Sequence, residues 1–473
     1  MFIGRKEELA KLLAMHESGR FEFAVVYGRR RVGKTTLIRE FCRGKRAFYF
    51  VARETSSAAN LKILSEEMSA QGLVQRGAYF ETWEAFFAAA GELAATERLV
   101  VAIDEYPYLA SAEKGISSAL QTYIDGEFKT GQMFLILCGS SMSFMENQIL
   151  GHKSPLYGRR TAQFHVKPFG FFDSRQFMPA FAQEEQAALY GATGGIPEYL
   201  AQIDGDASLK DNIAELFLKE TGALYEEPSN LLKQELREPA LYNAIIAATA
   251  GGATRLNEIA TKVGMESNKT AKYLASLVSL GIIGKTTPIG EKVGRKTIYT
   301  VADGMFRFWY RFVFPNMSAI ASGAGSVVYD KKVADGLPRF LGGVFEEICV
   351  EYLLAMQVRG RLPIFAGAIG RWWGNNPALK RQDEIDIIAF DGDAALIGEC
   401  KWRSAAVDAD VLAALVERGN IFAKTRIYYY IFAKSGFTKK MLAAQKERGD
   451  VALLTLAEMT REYDGAGGDS TAR

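Results

Sequence analysis

Short apolar runs alternate with longer segments of helical period over roughly the first 170 residues of the chain. The runs lie at residues 23–27, 48–51, 99–103, 133–138 and 162–166. Unbroken apolar runs of this length are typical of strands that are buried on both faces of a parallel sheet. Because segments of helical length separate them, the pattern predicts an α/β fold with five parallel strands.

The first predicted strand leads into a glycine-bounded loop. Residues 28–35 read GRRRVGKT, which matches GxxxxGK(S/T), and a helical pattern follows. A strand, loop and helix in this order point backbone N–H groups at one anion, so we interpret the motif as a phosphate-binding loop rather than as a chance match in an ordinary turn. The predicted nucleotide contacts are Gly28, Arg29, Arg30, Arg31, Val32, Gly33, Lys34, Thr35 and Thr36.

Specific roles follow for two of these side chains and for the acidic end of the third predicted strand. Lys34 is expected to reach the β- and γ-phosphates of ATP, and the Thr35 hydroxyl to ligate Mg²⁺. Asp104 ends the third strand and is expected to hold Mg²⁺, while Glu105 polarises the attacking water. Ser140, at the end of the fourth strand, is placed to sense the γ-phosphate.

Composition indicates a protein of several domains. The chain has 473 residues, of which 48% are hydrophobic and 24% charged, with a net charge of +2. This length predicts about three or four domains. The three histidines and four separated cysteines give no metal-binding or disulfide pattern. Without a long apolar run or a signal-peptide pattern, the expected location is cytoplasmic, and only the tail after about residue 463 looks disordered.

A distinct module follows between about residues 238 and 315. Two short helices around Gly264, the second capped by Ser267, have the spacing of a helix-turn-helix, and two strands form a wing. Residues 254–300 contain eight Lys or Arg and three Glu, a net charge of +5. Such an excess favours phosphate binding, so we expect DNA at Lys269, Lys272 and Arg295. The alternative is a winged helix that docks a protein.

Several motifs together resemble the archaeal-type AAA+ ATPase family. They are IGR at residues 3–5, GRRRVGKT, IDEYPYL, LCGSS, SPLYGRR and GGIPEYL, and the resemblance covers roughly residues 1–235. It implies a P-loop NTPase core with a helical lid. It also implies that Arg159 or Arg160, in SPLYGRR, supplies an arginine finger to the transition state. The alternative is a solvated or salt-bridged arginine pair.

The last module carries a second set of charged residues. Asp386 and the pair Glu399 and Lys401 lie on two apolar runs joined at Asp391-Gly392, a hairpin signal. With those two residues as the loop, Asp386 lies opposite Ile397, and Asp386, Glu399 and Lys401 share one face. Two carboxylates can hold a divalent metal, and the lysine can orient the attacking water.

These elements, with Glu347 on a preceding helix, resemble a PD-(D/E)xK nuclease-like domain, a restriction-endonuclease-like α/β fold. The resemblance implies catalytic roles for Glu347, Asp386, Glu399 and Lys401, with metal at Asp386 and Glu399. The alternatives are a solvated hairpin face or a degenerate nuclease fold that only binds.

The sequence therefore predicts four modules, with the most linker-like stretch at residues 321–326. The expected function is ATP hydrolysis with Mg²⁺, coupled to DNA binding and to Mg²⁺-dependent DNA cleavage. The alternative is a non-cleaving ATP-dependent switch that binds DNA or a protein. We expect no membrane association and allow for a homo-oligomer. The modules are an AAA+ core at 1–170, a helical lid at 171–237, a winged helix at 238–315 and a nuclease-like domain at 335–460.

Overall fold

The computed structural model describes residues 2–292, 294, 296–377 and 380–465. The chain forms two compact units, which we call the N-terminal and C-terminal units. The N-terminal unit comprises Met1–Pro168 and Ile196–Glu198, and the C-terminal unit comprises Phe169–Gly195 and Tyr199–Arg473. Apart from residues 196–198, the predicted lid therefore belongs to the same unit as the later modules.

A parallel five-stranded sheet organises the N-terminal unit, in the order β2-β3-β4-β1-β5. The predicted strands are confirmed to within one or two residues at each end. Every residue of β1, β3 and β4 is buried, as their apolar sequences require. The strands are β1 (Glu22–Tyr27), β2 (Ala47–Val51), β3 (Leu99–Asp104), β4 (Met133–Gly139) and β5 (Ala162–His165).

Helices of this unit bury an apolar stripe against the sheet. In α2, which follows the glycine-bounded loop, Leu37, Ile38 and Phe41 are fully buried, and the Phe41 ring lies 5.3 Å from that of Phe134 on β4. The helices are α1 (Lys6–Glu17), α2 (Lys34–Cys42), α3 (Ser57–Ala70), α4 (Trp83–Thr96), α5 (Tyr106–Ala112), α6 (Ile116–Tyr123) and α7 (Met142–Phe144), with π-helical turns at Ile124–Phe128 and Met145–Ile149.

Two separate sheets lie in the C-terminal unit. A two-stranded antiparallel sheet joins β6 (Ile283–Thr286) and β7 (Ile298–Val301). A five-stranded mixed sheet has the order β12-β11-β10-β9-β8; β8, β9 and β10 are antiparallel and β10, β11 and β12 parallel. Its strands are β8 (Ile369–Asn376), β9 (Arg381–Asp391), β10 (Ala394–Lys401), β11 (Arg426–Ala433) and β12 (Val451–Thr455).

The longest helix, α19, contributes Val344, Phe345, Ile348 and Leu353 to the core of the C-terminal unit, where all four are fully buried. The helices after α7 are α8 (Phe171–Ser174), α9 (Gln183–Thr193), α10 (Pro197–Leu200), α11 (Leu209–Phe217), α12 (Glu227–Glu235), α13 (Pro239–Ala250), α14 (Leu256–Val263), α15 (Ser267–Ser279), α16 (Gly304–Phe308), α17 (Met317–Ala321), α18 (Gly325–Val328), α19 (Ala334–Val358), α20 (Ala409–Gly419), α21 (Lys439–Arg448) and α22 (Leu456–Gly465). Shorter turns are π-helical at Trp309–Val313 and Tyr329–Val333 and 3₁₀ at Arg175–Phe177, Phe314–Asn316 and Asn420–Phe422.

The middle module contains the predicted helices and the predicted pair of strands. Helix α14 ends at Gly264, which has φ +70°, as the sequence indicates. The predicted cap of α15 is wrong by one residue, because Glu266 is the cap and Ser267 is already helical. The Ser267 hydroxyl instead donates a hydrogen bond to the Asn257 side chain at 3.2 Å.

The predicted linker at residues 321–326 is wrong. These residues comprise the end of α17, the turn after it and the start of α18, inside the C-terminal unit. Gly325 is buried so closely against the Leu218 carbonyl that a Cβ there would lie 2.0 Å from its oxygen. The absence of a side chain at Gly325 is therefore required by close packing of the backbone and is not a sign of flexibility.

The hairpin of β9 and β10 turns one residue later than predicted. Asp391 pairs with Ala394, so the loop is Gly392-Asp393, and Ile397 lies opposite Ile388 rather than Asp386. Gly392 adopts φ +54°, which glycine accommodates without strain. Moving the turn by one residue shifts each cross-strand partner by two, so each residue keeps its predicted face.

A β-bulge in β9 adds a second irregularity. Gly370 of β8 pairs with Ile388 and Trp372 with Ile385, so β9 has one more residue than β8 in this interval. The extra residue lets both Ile385 and Ile388 enter the apolar core. Asp386, between them, lies at the bulge.

No helix among residues 2–292, 294, 296–377 and 380–465 is both long and apolar enough to cross a membrane. Helix α22 extends to Gly465. The remainder of the tail that the sequence indicates to be disordered, residues 466–473, lies outside the described residues.

Gly28 tests the close packing of the phosphate-binding loop. A Cβ at this position would lie 2.2 Å from the backbone oxygen of Val166, and φ is +154°. We expect Gly28→Ala to displace the loop, to weaken ATP binding about tenfold or more and to lower the unfolding temperature. Gly126→Ala is the matched control, because its Cβ meets nothing within 4 Å. Equal ATP affinity in the two variants, measured by calorimetry, would contradict this packing.

Candidate functional site

Backbone carbonyl groups of the loop between β1 and α2 bind the ammonium group of Lys34. Lys34 is buried and donates hydrogen bonds to the carbonyl oxygens of Gly28 and Arg29, each at 2.9 Å. An ammonium has three N–H donors. These two bonds fix its position within the loop and leave a third donor for a phosphate oxygen.

Asp104, at the end of β3, is a buried carboxylate with several hydrogen-bond donors around it. The Thr35 hydroxyl donates to Oδ2 at 2.7 Å, the Tyr49 hydroxyl to Oδ2 at 2.6 Å and the Glu105 backbone N–H to Oδ1 at 2.9 Å. The Cys138 thiol is a further partner. Burial acts to raise the pKa of Asp104, but these hydrogen bonds outweigh it and hold the pKa below its usual value. Asp104 is therefore an anion at neutral pH.

The Thr35 and Asp104 oxygens suit Mg²⁺. The two side chains come from α2 and β3, and both carry oxygen donors, which this hard cation prefers. Since their oxygens already lie within hydrogen-bond distance, they fit the predicted arrangement in which Thr35 ligates the ion and Asp104 holds it directly or through water.

Glu105 occupies a strained backbone position beside this carboxylate. Its φ is +51° and its ψ is 40°, a left-handed conformation that is uncommon for glutamate. The Ser140 hydroxyl lies 2.9 Å from Oε1 and 2.8 Å from Oε2 and donates to the carboxylate. The polar residue that ends β4 thus contacts the predicted water-activating residue. Its predicted contact with the γ-phosphate stays a prediction.

Three residues of this site escaped the sequence analysis: Tyr49, Cys138 and Glu198. Tyr49 lies two residues before Val51, which pairs with Asp104, so the β2–β3 register places Tyr49 on the same face as Asp104. Glu198 lies 3.7 Å from Arg31 in the loop, measured from Oε1 to Nε. Tyr49 and Cys138 lay within predicted strands, but their side-chain partners depend on the strand order, which the apolar pattern does not specify.

The SPLYGRR segment holds its two arginines differently. Arg159 forms an ion pair with Asp125 at 2.5 Å and donates to the Pro155 carbonyl at 2.9 Å. Hydrogen bonds from Arg159 and Lys129 lower the pKa of Asp125 to about 2. Arg160 lies over the Tyr157 ring, 6.0 Å from its centre. Arg159 thus has the salt-bridged arrangement that the sequence left open, and the finger role stays a prediction for either arginine.

The C-terminal unit contains a second cluster of charged groups around Glu346 of α19. The nearby positive charge is Arg371, whose Nε lies 3.6 Å from Glu346 Oε2 and which also pairs with Glu384. Burial and the charge of Asp386 raise the pKa of Glu346 to about 7. Burial and the charge of Glu399 raise the pKa of Asp386 to about 6. Like charges have therefore been brought together in a poorly solvated place.

Glu399 and Lys401 complete this cluster from β10. Lys401 Nζ lies 2.5 Å from Glu399 Oε1, and Arg418 lies 3.0 Å from Oε2. The Cys400 backbone N–H, between them, donates to Asp386 Oδ2 at 2.9 Å. The structure thus brings Asp386, Glu399 and Lys401 together, although the hairpin register differs from the predicted one.

Glu347 is not the residue of α19 that interacts with Asp386. Its carboxylate forms a two-pronged ion pair with Arg307, at 2.5 and 2.8 Å, whereas Glu346 interacts with Asp386. On a helix, adjacent residues point about 100° apart, so only one of the two glutamates can face β9. We assign the helix position of the cluster to Glu346. The sequence motif contained both glutamates and could not separate them.

The described residues contain no group of three or more His, Cys, Asp or Glu side chains arranged to hold a metal ion. Asp386 and Glu399 remain a pair of oxygen donors, and Glu399 is occupied by Lys401 and Arg418. The acids and the lysine are therefore close together, but a three-ligand metal site is not formed by the side chains that the structure describes.

In the middle module, the segment between β6 and β7 docks onto the five-stranded sheet. The Ile289 N–H donates to the Arg371 carbonyl at 3.0 Å, and the Trp373 indole N–H donates to the Lys296 carbonyl at 3.2 Å. Ile289 also packs against the apolar core of that sheet. These contacts are internal to the C-terminal unit, so DNA binding and protein docking by the module both stay predictions. The predicted DNA contact Arg295 lies outside the described residues, while Lys269 and Lys272 are exposed on α15.

Comparison with known proteins places this chain in a family. An uncharacterized protein of Methanocaldococcus jannaschii is 31% identical over 471 residues, which cover 97% of this chain and 100% of that protein. Residues 2–203 match an ATPase domain predominantly from Archaea, and residues 309–412 match a domain described as archaeal and bacterial proteins of unknown function. The class is thus that of archaeal-type P-loop ATPases with an additional C-terminal domain. The chain belongs to the family of this M. jannaschii protein.

One solved structure supports the fold. The Walker-type ATPase of Pyrococcus abyssi has a TM-score of 0.51 and 21% identity, covering 66% of this chain and 96% of that one. The ORC2 protein of Aeropyrum pernix, at 14% identity, covers 70% of this chain and 95% of its own, with a TM-score of 0.44. The first likeness supports a P-loop NTPase fold, and the second is too low to establish more.

The pKa of Glu346 predicts a pH dependence of stability. A carboxyl whose pKa is about 7 in the fold, against an ordinary value of 4.5, contributes stability below pH 4.5, and this contribution is lost as pH rises through 7. In buffer with EDTA, we expect the unfolding temperature of wild type to fall over this window and that of Glu346→Gln to fall less steeply. Identical slopes in differential scanning calorimetry would show that Glu346 is not the group responsible.

Proposed function

We propose that this protein is a Mg²⁺-dependent ATPase whose turnover takes place in the N-terminal unit. The observation that carries the proposal is the Asp104 anion, held between the Thr35 hydroxyl of the phosphate-binding loop and the backbone of Glu105. The match of residues 2–203 to an ATPase domain also supports ATP hydrolysis in this unit.

Each side chain then has a distinct task. Lys34 and the loop N–H groups bind the phosphates, with Thr35 and Asp104 as the groups that would hold Mg²⁺. The ion would neutralise charge on the β- and γ-phosphates. Glu105 accepts a hydrogen bond from the attacking water and orients it, and Ser140 positions the Glu105 carboxylate.

Two variants separate binding from turnover. Lys34→Ala removes the buried cation, so we expect ATP affinity to fall at least about a hundredfold. Glu105→Gln keeps the phosphate contacts but weakens orientation of the water, so we expect ATP affinity to be retained and turnover to fall about a hundredfold or more. Fluorescent-nucleotide binding and phosphate release give the two readouts. Lys11→Ala, at an exposed lysine of α1, is the control.

Equal phosphate release by wild type and Glu105→Gln would remove Glu105 from the catalytic role. Wild-type ATP affinity in Lys34→Ala would contradict the claim that this loop binds the phosphates of ATP.

A second candidate function is DNA processing by the C-terminal unit, with DNA bound through a winged helix and cleaved by a nuclease-like domain. A cluster of charged side chains favours this candidate. It contains Glu346 on α19, Asp386 on β9, and the pair Glu399 and Lys401 on β10, which is the arrangement expected of the nuclease-like motif. On this proposal Asp386 and Glu399 bind the metal and Lys401 orients water. The non-cleaving switch remains the alternative, and either version allows an oligomer in which Arg160 acts on a neighbouring site.

Cleavage of plasmid DNA with Mg²⁺ or Mn²⁺ tests this candidate. We expect wild type to nick the plasmid and Glu399→Gln and Asp386→Asn to lose at least about 99% of the activity, because each change removes a negative ligand. Glu347→Gln is the informative comparison, since Glu347 pairs with Arg307 and should retain cleavage. Equal nicking by wild type and Glu399→Gln would show that a contaminant cleaves the plasmid. The non-cleaving ATP-dependent switch would then be the remaining hypothesis for the C-terminal unit.

A further inference from the structure

A large cavity in the C-terminal unit lies between the β6–β7 sheet and α19. Its volume is about 1180 Å³, which exceeds the roughly 300–1,000 Å³ of usual small-molecule sites. One wall is a single face of the two-stranded sheet, because Gly284 pairs with Thr300 and Thr286 with Ile298. The cavity extends to Glu346 and Asp386 of the acidic cluster.

Four arginines and four acids line this cavity, but they are not all paired with one another. Among its arginines, Arg307 is paired with Glu347, and Arg371 with Glu346 and Glu384. Arg311 and Arg339, both exposed, also line it, and the part of the chain that the structure describes gives neither an acidic partner within ion-pair distance. The Arg311 guanidinium lies 5.4 Å from the centre of the Phe312 ring. Burial and the nearby charge of Arg339 lower the pKa of Arg311. Two guanidinium groups of like charge thus face one cavity.

Other lining groups suit a polynucleotide. The Thr286 and Thr300 hydroxyls can donate to or accept from phosphate and sugar oxygens. The half-buried Trp373 offers an aromatic face to a base, and stacking of this kind is the usual means of holding single strands. Gly343, in the middle of the α19 wall, has no atom within 4 Å of where its Cβ would be, so the helix leaves room above it.

We propose that this cavity binds a segment of single-stranded nucleic acid a few nucleotides long, with Arg311 and Arg339 holding its backbone phosphates. A guanidinium group can donate two parallel hydrogen bonds to a phosphate, and two neighbouring guanidinium groups repel each other less when an anion binds between them. The volume favours several linked nucleotides over a single one. The proposal goes beyond ATP turnover and does not require that the strand be cleaved.

Fluorescence anisotropy of labelled oligo(dT) and oligo(U) with the full chain, in EDTA and without ATP, tests it. We expect both strands to bind wild type. The double variant Arg311→Gln/Arg339→Gln should weaken binding about tenfold or more. It should also reduce the slope of log affinity against log salt by about 1.4, at roughly 0.7 for each lost phosphate contact on a single strand.

Two neighbouring glycines provide a second, matched pair of variants. Gly343→Trp fills the cavity and should weaken oligonucleotide binding about tenfold or more. Gly342→Trp is its control, since Gly342 also has open space around its Cβ position but does not line the cavity, and binding should be unchanged. Unfolding temperature and ATP affinity of each variant show that it has folded.

Absence of oligonucleotide binding by wild type would overturn the proposal. So would wild-type affinity in both Arg311→Gln/Arg339→Gln and Gly343→Trp, or binding that only Lys269→Gln/Lys272→Gln abolishes, since those lysines lie on α15 outside the cavity. A competition experiment uses the Lys34→Ala variant, in which the N-terminal loop should no longer bind nucleotide. Complete displacement of the oligonucleotide by a mononucleotide at equal phosphate concentration would also overturn the proposal. Because cleavage and ATP turnover are not measured, failure of either proposed activity would not affect this readout.

Discussion

The N-terminal unit depends on the hydrogen bonds that the buried carboxylate of Asp104 accepts. A buried negative charge is costly unless it is well hydrogen-bonded, and here the donors come from four different segments: Thr35 on α2, Tyr49 on β2, Cys138 on β4 and the backbone after β3. Satisfying this one anion therefore fixes the loop and three strands relative to each other. The hydrogen bonds that allow this charge to be buried also keep the carboxylate ionised, so that it can bind a cation.

The C-terminal unit deals with charge in a different way. Its acids and arginines meet where a β-bulge interrupts β9 and where the segment between β6 and β7 docks onto β8. The charge of Asp386 raises the pKa of Glu346, and the charge of Glu399 raises the pKa of Asp386, while Arg371 compensates part of this negative charge. Perturbed carboxyl pKa values of this kind cluster at functional sites, and here Glu346 and Asp386 also line the cavity between α19 and the β6–β7 sheet.

The sequence predicted the parallel sheet and the phosphate-binding loop because their signals are local. Buried strands need continuous apolar runs, and a phosphate-binding loop needs its glycines and lysine at fixed spacing. It predicted the association of Asp386 with Glu399 and Lys401 from strand period alone. The register that carried this prediction was wrong, but the shift of two residues preserved the face.

What escaped the sequence depends on contacts between distant segments. The choice of Glu346 over Glu347 is set by the rotation of α19 against β9, and Tyr49 approaches Asp104 only because β2 lies beside β3. The glycine- and serine-rich stretch at residues 321–326 has the composition of a linker, yet Gly325 within it permits tight packing against Leu218. Composition alone cannot distinguish these two uses of small residues.

The most direct test of the central claim is the Mg²⁺ dependence of ATP hydrolysis by Asp104→Asn. Asparagine keeps the size of the side chain and can still accept the hydrogen bonds of Thr35 and Tyr49, but it lacks the charge that would hold the cation. We expect the variant to fold, to bind ATP in EDTA as wild type does, and to lose at least about 99% of Mg²⁺-supported turnover. Wild-type turnover with an unchanged Mg²⁺ dependence would contradict the role assigned to this carboxylate.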